Sequence, residues 1–204
     1  MKRGSMLIAL GALLLAAALG LTAFNLYEDH RAAANAGAAA QQLRQELPAP
    51  PVNREETEAE AVPDYVLAPE MEMPTVTVDG QDYIGTLQLP SLELEFPVIS
   101  RWNYSRLKLA PCRYAGSAYT GDLVIAAHNY SRHFGRLKEL TEGDLVRFTD
   151  ADGNVFTYAV AAREVLLPTA VEEMTAGEWD LTLFTCTLGG RSRVTVRCEL
   201  VETE

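Results

Sequence analysis

The sequence from residue 75 onward is a succession of short strand-forming segments separated by turn residues. In the segment 92–100, large apolar side chains recur at every second position, a period that is typical of a strand with one buried face. Similar apolar or alternating segments occupy 84–90, 123–127, 145–167, 181–185 and 193–200. About eight short strands leave no room for alternating βαβ units. We therefore predict an all-β domain with short helices, folded as a closed or nearly closed, antiparallel-rich barrel.

Turn and breaker residues refine this prediction. Asp79-Gly80 and Asp152-Gly153 are turn dipeptides between strand-like segments, so a hairpin is predicted at each. Residues 102–109 are predicted to form one short helix, which Pro111 stops.

The N-terminus carries a long apolar run without a charged residue between Gly4 and Tyr27. At about 1.5 Å of helix per residue, such a run can span a hydrocarbon core of roughly 30 Å. Two basic residues precede the run and two acidic residues follow it, so the positive-inside rule predicts a cytoplasmic N-terminus (1–5), a membrane anchor (6–27) and an extracellular remainder. The alternative is a cleaved signal peptide with Ala34-Asn35-Ala36 at its cleavage site. The length of the run favours the anchor.

The segment 28–74 links the apolar run to the predicted domain at 75–204. Its first part, 28–47, is rich in Ala and Gln and is predicted to continue the helix as a short stalk. Its second part, 48–74, holds six of the ten prolines, and its composition predicts an extended, solvated, acidic spacer. The formal net charge of −11 argues against a protein that binds nucleic acid irrespective of sequence.

Three cysteines allow three interpretations. Cys112, Cys186 and Cys198 lack the paired short spacing of a structural zinc site. A disulfide from Cys198 to either of the others is conceivable outside the cytoplasm, but nothing in the sequence brings one pair within bonding distance. Cys198 alternates with apolar residues and is predicted to be a small core residue. The third interpretation is a reactive thiol at Cys186.

Three residues with the side chains needed for thiol chemistry lie at strand ends. A nucleophilic thiolate needs a base nearby and a donor for the oxyanion that forms on attack. Cys186 closes one apolar strand, His128 follows another, and Arg193 opens the strand after the Cys186 turn. Strand ends at a barrel rim hold side chains rigidly yet leave them within reach of a substrate. Together, these positions are suggestive of a catalytic site.

Several segments occur in an order that resembles one enzyme family. They are GTLQLP at 85–90, Pro97-Val98, GDLVIAAHNY at 121–130, FGRLKELTEGDLVRF at 134–148, and LTLFTC at 181–186 followed by an Arg-led strand. This pattern, together with the preceding anchor, resembles the sortases, membrane-anchored cysteine transpeptidases of Gram-positive surfaces. The resemblance covers residues 76–202 and implies a closed, eight-stranded sortase-type β-barrel behind a single transmembrane helix.

The resemblance also implies roles for individual residues. Cys186 matches the catalytic nucleophile, His128 the catalytic histidine and Arg193 the catalytic arginine, with Arg197 and Arg191 as the other candidates for the arginine. The implied substrate-binding residues are Ala127, Thr185, Leu166, Leu167, Pro168 and Val171. Many relatives have Gly where this chain has Ala127, and the loop between the cysteine and the arginine is short. These two departures leave the subclass open.

The implied reaction cleaves a Leu-Pro-x-Thr-Gly-like C-terminal sorting motif through a thioester. It then transfers the protein to an amine of a cell-wall precursor or a pilin. The implied partners are secreted proteins bearing the motif, the amine nucleophile and the membrane, but no nucleic acid, and no metal or organic cofactor is required. Some sortases bind calcium and some carry a lid before the barrel, to which Pro63-Asp64-Tyr65 is only loosely similar. The motif, the acceptor and the choice between anchoring and pilin polymerisation stay open.

Two other functions fit parts of the sequence. An L,D-transpeptidase also uses Cys and His outside the cell, but its Ser-His-Gly-Cys-type motif does not occur in this chain. A non-catalytic extracellular β-barrel module for adhesion or membrane-complex assembly would have a buried and inert Cys186.

Overall fold

A computed structural model describes residues 2–46 and 62–201 of the chain. The first part of the predicted spacer, up to residue 61, lies outside these residues. These two ranges contain nine strands: β1 Val76–Val78, β2 Gln81–Leu89, β3 Leu94–Ile99, β4 Cys112–Ala115, β5 Leu123–Ala127, β6 Leu145–Asp150, β7 Val155–Leu166, β8 Leu181–Cys186 and β9 Arg193–Leu200. The α-helices are α1 Lys2–Glu46, α2 Asp64–Leu67 and α3 Val171–Met174. Single 3-10 helices cover Pro90–Leu92, Arg106–Lys108 and Phe134–Glu139.

The strands form one closed barrel. They are hydrogen-bonded in the order β1-β2-β3-β4-β5-β8-β9-β7-β6, and an additional pairing of β2 with β6 closes the ring from β2 to β9. Among the described residues, strand β1 pairs only with β2, and it is the extra strand. All pairings are antiparallel except β3–β4 and β5–β8, which are parallel. The predicted all-β, eight-stranded barrel is therefore confirmed.

Glycine makes two tight features of this barrel possible. Asp79 and Gly80 both have positive φ, at 48° and 73°, which is the type I′ geometry that the right-handed twist of a two-residue hairpin favours. Gly85 lies where β2 pairs with both β3 and β6. A Cβ atom at Gly85 would lie 1.9 Å from the carbonyl oxygen of Thr149, so a larger residue there would push apart the two strands that close the barrel.

Two apolar clusters stabilise the fold. The first fills the barrel with inward-facing residues of almost every strand, among them Leu87, Ile125, Phe148, Tyr158 and Leu183. The second lies outside the barrel, between α1 and the sheet, where fully buried Leu43 of α1 packs with residues such as Tyr83 and Ile99. The stalk predicted at 28–47 is therefore helical through Glu46, and its last turns are docked on the barrel.

Three local features differ from the sequence-based expectations. The end of the predicted solvated spacer contacts the barrel: Tyr65 of α2 stacks on Tyr119 at 4.7 Å, and Met73 is 4% exposed. Both side chains pack against the barrel, and the acidic composition of the segment 48–74 gives no indication of these contacts. The helix predicted at 102–109 is reduced to one 3-10 turn, and β4 was not predicted because four residues are too few for a periodic pattern.

The apolar part of α1 projects away from the barrel. The span Met6–Arg31 is long and apolar enough to cross a membrane: an 18-residue window within it has a mean hydropathy of 2.4, and none of that window is buried against the protein.

Candidate active site

The ends of three adjacent strands bring the predicted catalytic residues to one rim of the barrel. Strands β5 and β8 are parallel, so their C-terminal ends lie side by side, with Ala127 paired to Thr185. His128 follows Ala127 in the chain, and Cys186 follows Thr185. Strand β9 runs back from the turn after β8, which pairs Arg193 directly with Cys186. The register alone therefore places these three residues at neighbouring positions of the same edge.

A cleft of about 190 Å³ opens at this rim. It is lined by eight of the nine predicted site residues: His128, Cys186, Arg193, Ala127, Thr185, Leu167, Pro168 and Val171. The ninth, Leu166, is the last residue of β7 and does not line the cleft. Among the described residues, those that line the cleft lie between Trp102 and Arg193, so α2 and the segment that follows it do not contribute.

The hydroxyl of Thr185 fixes the cleft floor. It donates a hydrogen bond of 2.8 Å to the backbone carbonyl of Ala127, between residues 58 positions apart in the chain. Both residues are buried. Because each precedes one of the two predicted catalytic residues, this bond limits the relative movement of His128 and Cys186.

The three thiols have different environments. All are free, but Cys112 and Cys198 are completely buried, whereas Cys186 is partly exposed in the cleft. Burial raises the pKa of both the Cys112 and the Cys198 thiol to about 12. Since the thiolate is the nucleophilic form, these two residues are inert at neutral pH. Cys198 is thus a core residue, in agreement with its alternating sequence context.

The surroundings of His128 favour the neutral form of its imidazole. Burial lowers its pKa below the ordinary histidine value, and the nearby positive charge of Lys108 lowers it further. Its Nε2 atom is buried and has no hydrogen-bond partner among the described residues. The ring of Tyr130 packs against the imidazole with a centroid distance of 4.9 Å. A neutral imidazole with an unpartnered nitrogen is suited to accept a proton from a group that enters the cleft.

The three candidate arginines differ in location. Arg191 is exposed on the turn between β8 and β9. Arg193 is partly buried in the cleft, and its Nη1 donates hydrogen bonds to the carbonyls of Gly190 and Ser192. Arg197 is 4% exposed and lies four residues further along β9, about 13 Å from Arg193 at the usual rise of a strand. Of the three, Arg193 is the one that lines the cleft.

Arg197 instead ties the cleft wall to the sheet. Its Nε donates to the Glu164 carboxylate at 2.6 Å, and Nη1 donates to the Thr182 hydroxyl at 3.0 Å. The carbonyls of Glu173 and Met174, at the end of α3, accept from Nη2 and Nη1 at 2.8 and 3.4 Å. Every guanidinium nitrogen is engaged. Because α3 carries cleft residues, Arg197 fixes that wall from below.

An aromatic wall of the cleft was missed by the sequence analysis. Trp102 packs on Tyr114 at 5.2 Å, Tyr114 packs on Phe184 at 5.2 Å, and Tyr104 packs on Trp102 at 5.5 Å. Phe184 lies two residues before Cys186 on β8, and this alternation was the sequence signal for its place on the same face. Trp102 and Tyr104 come from the segment that we predicted to be a helix, and Tyr114 comes from the unpredicted strand β4, so no pattern pointed to them.

Comparison with known proteins identifies the family of this chain. The model of the sortase domain matches residues 87–201, more than half of the chain. The chain belongs to the sortase family. The family is a class of cysteine transpeptidases, and its fold is the barrel described above.

Solved sortase structures resemble the chain over most of their own length. Sortase C1 from Streptococcus suis is 25% identical, with a TM-score of 0.52 over 60% of this chain and 74% of that chain. Sortase C from Clostridium perfringens, solved with the C-terminal cell wall sorting motif, is 22% identical (TM-score 0.54; 60% and 72% covered). A sortase D5 transpeptidase from the same species is 18% identical (TM-score 0.54; 68% and 88% covered). No curated protein sequence matches the chain.

Proposed function

We propose that this sortase cleaves a C-terminal sorting motif and transfers the acyl part to an amine, with Cys186 as nucleophile, His128 as acid and base, and Arg193 as oxyanion donor. The observation that carries the proposal is the meeting of these three side chains in one cleft at the rim of a sortase barrel. The Clostridium perfringens relative solved with a sorting motif supports the substrate class.

In the first half-reaction, the Cys186 thiol gives its proton to neutral His128, and the thiolate sulfur attacks the scissile carbonyl carbon. The negative charge that develops on the carbonyl oxygen is met by the guanidinium of Arg193. The C–N bond then breaks, and the imidazolium of His128 gives its proton to the leaving amine. The products are a Cys186 thioester and the released C-terminal fragment of the substrate.

In the second half-reaction, an acceptor amine attacks the thioester carbonyl. His128 takes a proton from this amine, the C–S bond breaks, and the proton returns to the Cys186 sulfur. The amide product keeps the free energy of the original peptide bond, so transfer needs no energy source. Val171 and Phe184 line the cleft, and this supports the pathway because apolar side chains offer no hydrogen bond that would hold a hydrolytic water beside the thioester.

The exposed apolar helix supports a single-pass membrane location, with a cytoplasmic N-terminus and an extracellular catalytic domain. In this arrangement, the enzyme meets secreted proteins that bear the motif and amines of a cell-wall precursor or a pilin.

The test is turnover of a sorting-motif peptide library by the full chain in lipid nanodiscs, with competing amines of the cell-wall and pilin-lysine types. We expect a new amide product, release of the C-terminal fragment and an acyl adduct on the peptide that contains Cys186, all detected by mass spectrometry. The absence of cleavage with every peptide, or full activity of Cys186→Ala, would show that this function is wrong.

A further inference from the structure

The loop that carries His128 is bonded to α1, far from it in the chain. Both carboxylate oxygens of Asp29 accept hydrogen bonds from Ser131, one from the backbone N–H at 2.9 Å and one from the hydroxyl at 2.5 Å. Bonds to an ionised acceptor are stronger than neutral ones. They connect residues 102 positions apart, one on α1 and one three residues after His128.

Because the loop is tightly folded, the hydrogen bonds at Ser131 also restrict the position of the His128 imidazole. The carbonyl of Tyr130 accepts from the N–H groups of His133 and Gly135, both at 2.9 Å, and the carbonyl of His128 accepts from Phe134 at 3.1 Å. A Cβ atom at Gly135 would lie 2.6 Å from the Asn129 carbonyl, so this backbone has little freedom to move. The ring of Tyr130, next to Ser131, packs on His128.

Asp29 belongs to a fixed part of the molecule. Fourteen residues further along α1, about 21 Å at the rise of a helix, Leu43 is fully buried against the barrel. The helix is therefore attached to the barrel at Leu43 and to the active-site loop at Asp29. Asp29 also lies two residues before the end of the apolar span Met6–Arg31.

From these contacts we infer that Asp29 is a positioning residue of the active site, which orients His128 through Ser131 and Tyr130. The same contact holds the His128 side of the cleft next to the end of the membrane-spanning segment, at the bilayer surface. The catalytic readout of this inference rests on the proposed function, whereas its structural readout does not.

The matched pair for a test is Asp29→Ala and Glu28→Ala in the full chain in lipid nanodiscs. Both variants remove one carboxylate from adjacent positions of the same helix, but Glu28 pairs with Arg31 at 3.5 Å, whereas the backbone N–H and the hydroxyl of Ser131 both donate to Asp29. With a soluble sorting-motif peptide, we expect Asp29→Ala to lower kcat about tenfold and to change KM less than about twofold, because a misplaced general base slows the chemical step. Glu28→Ala is expected to keep kcat within about twofold of the original chain.

Ser131→Ala removes one of the two hydrogen bonds and is expected to lower kcat by less than Asp29→Ala. Combining the two substitutions should add nothing to the effect of Asp29→Ala, since both act through the same contact. Additive effects would overturn the inference, and so would equal kcat values for Asp29→Ala and Glu28→Ala.

The second readout is independent of activity. The chain has three histidines, so ¹³C-labelled histidine gives three ring signals that single His→Gln variants assign. We expect the His128 signal to move in Asp29→Ala and to stay in place in Glu28→Ala, with unfolding temperatures of both within about 2 °C of the original chain. If the His128 signal moved in Asp29→Ala but the original chain had no transpeptidase activity, the inference would be retained and the proposed function rejected. An unmoved signal would reject the inference alone.

Discussion

Strands β8 and β9 carry a cysteine and an arginine near each end of their shared ladder, and the two ends have different properties. At the rim, Cys186 pairs with Arg193, and both are partly exposed in the cleft. At the other end, Cys198 is fully buried opposite Leu181, and Arg197 is engaged by four acceptors. The pair at the rim lines the cleft, whereas Cys198 and Arg197, which both lie on β9, are buried and stabilise the fold. Exposure and available partners, not residue type, make the difference.

The strongest test of this comparison is to remove each thiol in turn. Cys186→Ala is expected to lower peptide turnover by about 10⁴-fold or more, because it removes the proposed nucleophile that carries the acyl group. Cys198→Ala is expected to retain activity within about twofold and to cost about 1 kcal/mol of unfolding free energy through the small cavity it leaves. The measurements are kcat/KM with a sorting-motif peptide and denaturant unfolding. Comparable activity losses in the two variants would contradict the assignment.

The arginines provide the second test. Arg193→Met is expected to lower kcat by about 10²-fold or more through the loss of an oxyanion donor, with a change of less than about 1 kcal/mol in unfolding free energy. Arg197→Met leaves the Thr182 hydroxyl and two α3 carbonyls without their donor, so we expect a loss of about 2 kcal/mol or more in stability. Because the α3 wall then loosens, KM should rise more than kcat falls. Steady-state kinetics and denaturant unfolding of both variants check this. If Arg197→Met lowered kcat and Arg193→Met lowered the unfolding free energy instead, Arg197 would be the oxyanion donor.

Thiol modification gives the third test. A small methanethiosulfonate reagent is expected to label Cys186 at least about a hundredfold faster than Cys112 or Cys198 in the folded chain, since burial keeps the other two thiols protonated and inaccessible. Mass spectrometry of peptides after timed labelling measures the three rates. In denaturant, the labelling rates of the three cysteines should become similar. Equal labelling rates in the folded chain would contradict the difference proposed between the two ends of the β8–β9 ladder.

The smallest expected effect concerns Lys108, whose charge acts on His128 at the rim. Lys108 is exposed, and its positive charge opposes protonation of His128. Lys108→Gln removes this opposition, so the pKa of His128 should rise toward the ordinary histidine value while staying below it, because burial is the larger cause. Titration of the His128 ring signal by NMR measures the shift. Lys138→Gln, which also removes an exposed lysine, is the control and should leave the pKa of His128 unchanged.

Much of the site could be predicted from the sequence because its signals are local. A strand is predicted to end where an apolar run meets Gly or polar residues. His128, Cys186 and Arg193 lie at such predicted ends. The alternation of Cys198 with apolar residues predicted its burial in the same way. The apolar run of α1 indicated a membrane-spanning length by composition alone. These properties depend only on a residue and its near neighbours in the chain.

The tertiary structure decided what depends on distant residues. The parallel pairing of β5 with β8 brings His128 beside Cys186 across 58 positions, and no local period encodes that register. The role of Arg197 follows from acceptors on three other segments, and the docking of Leu43 and Asp29 follows from surfaces that exist only once the barrel has closed. Sequence patterns thus determined the strands and which of their ends carry reactive groups. Packing decided which of these groups meet, because hydrogen-bond partners and burial are properties of the assembled barrel.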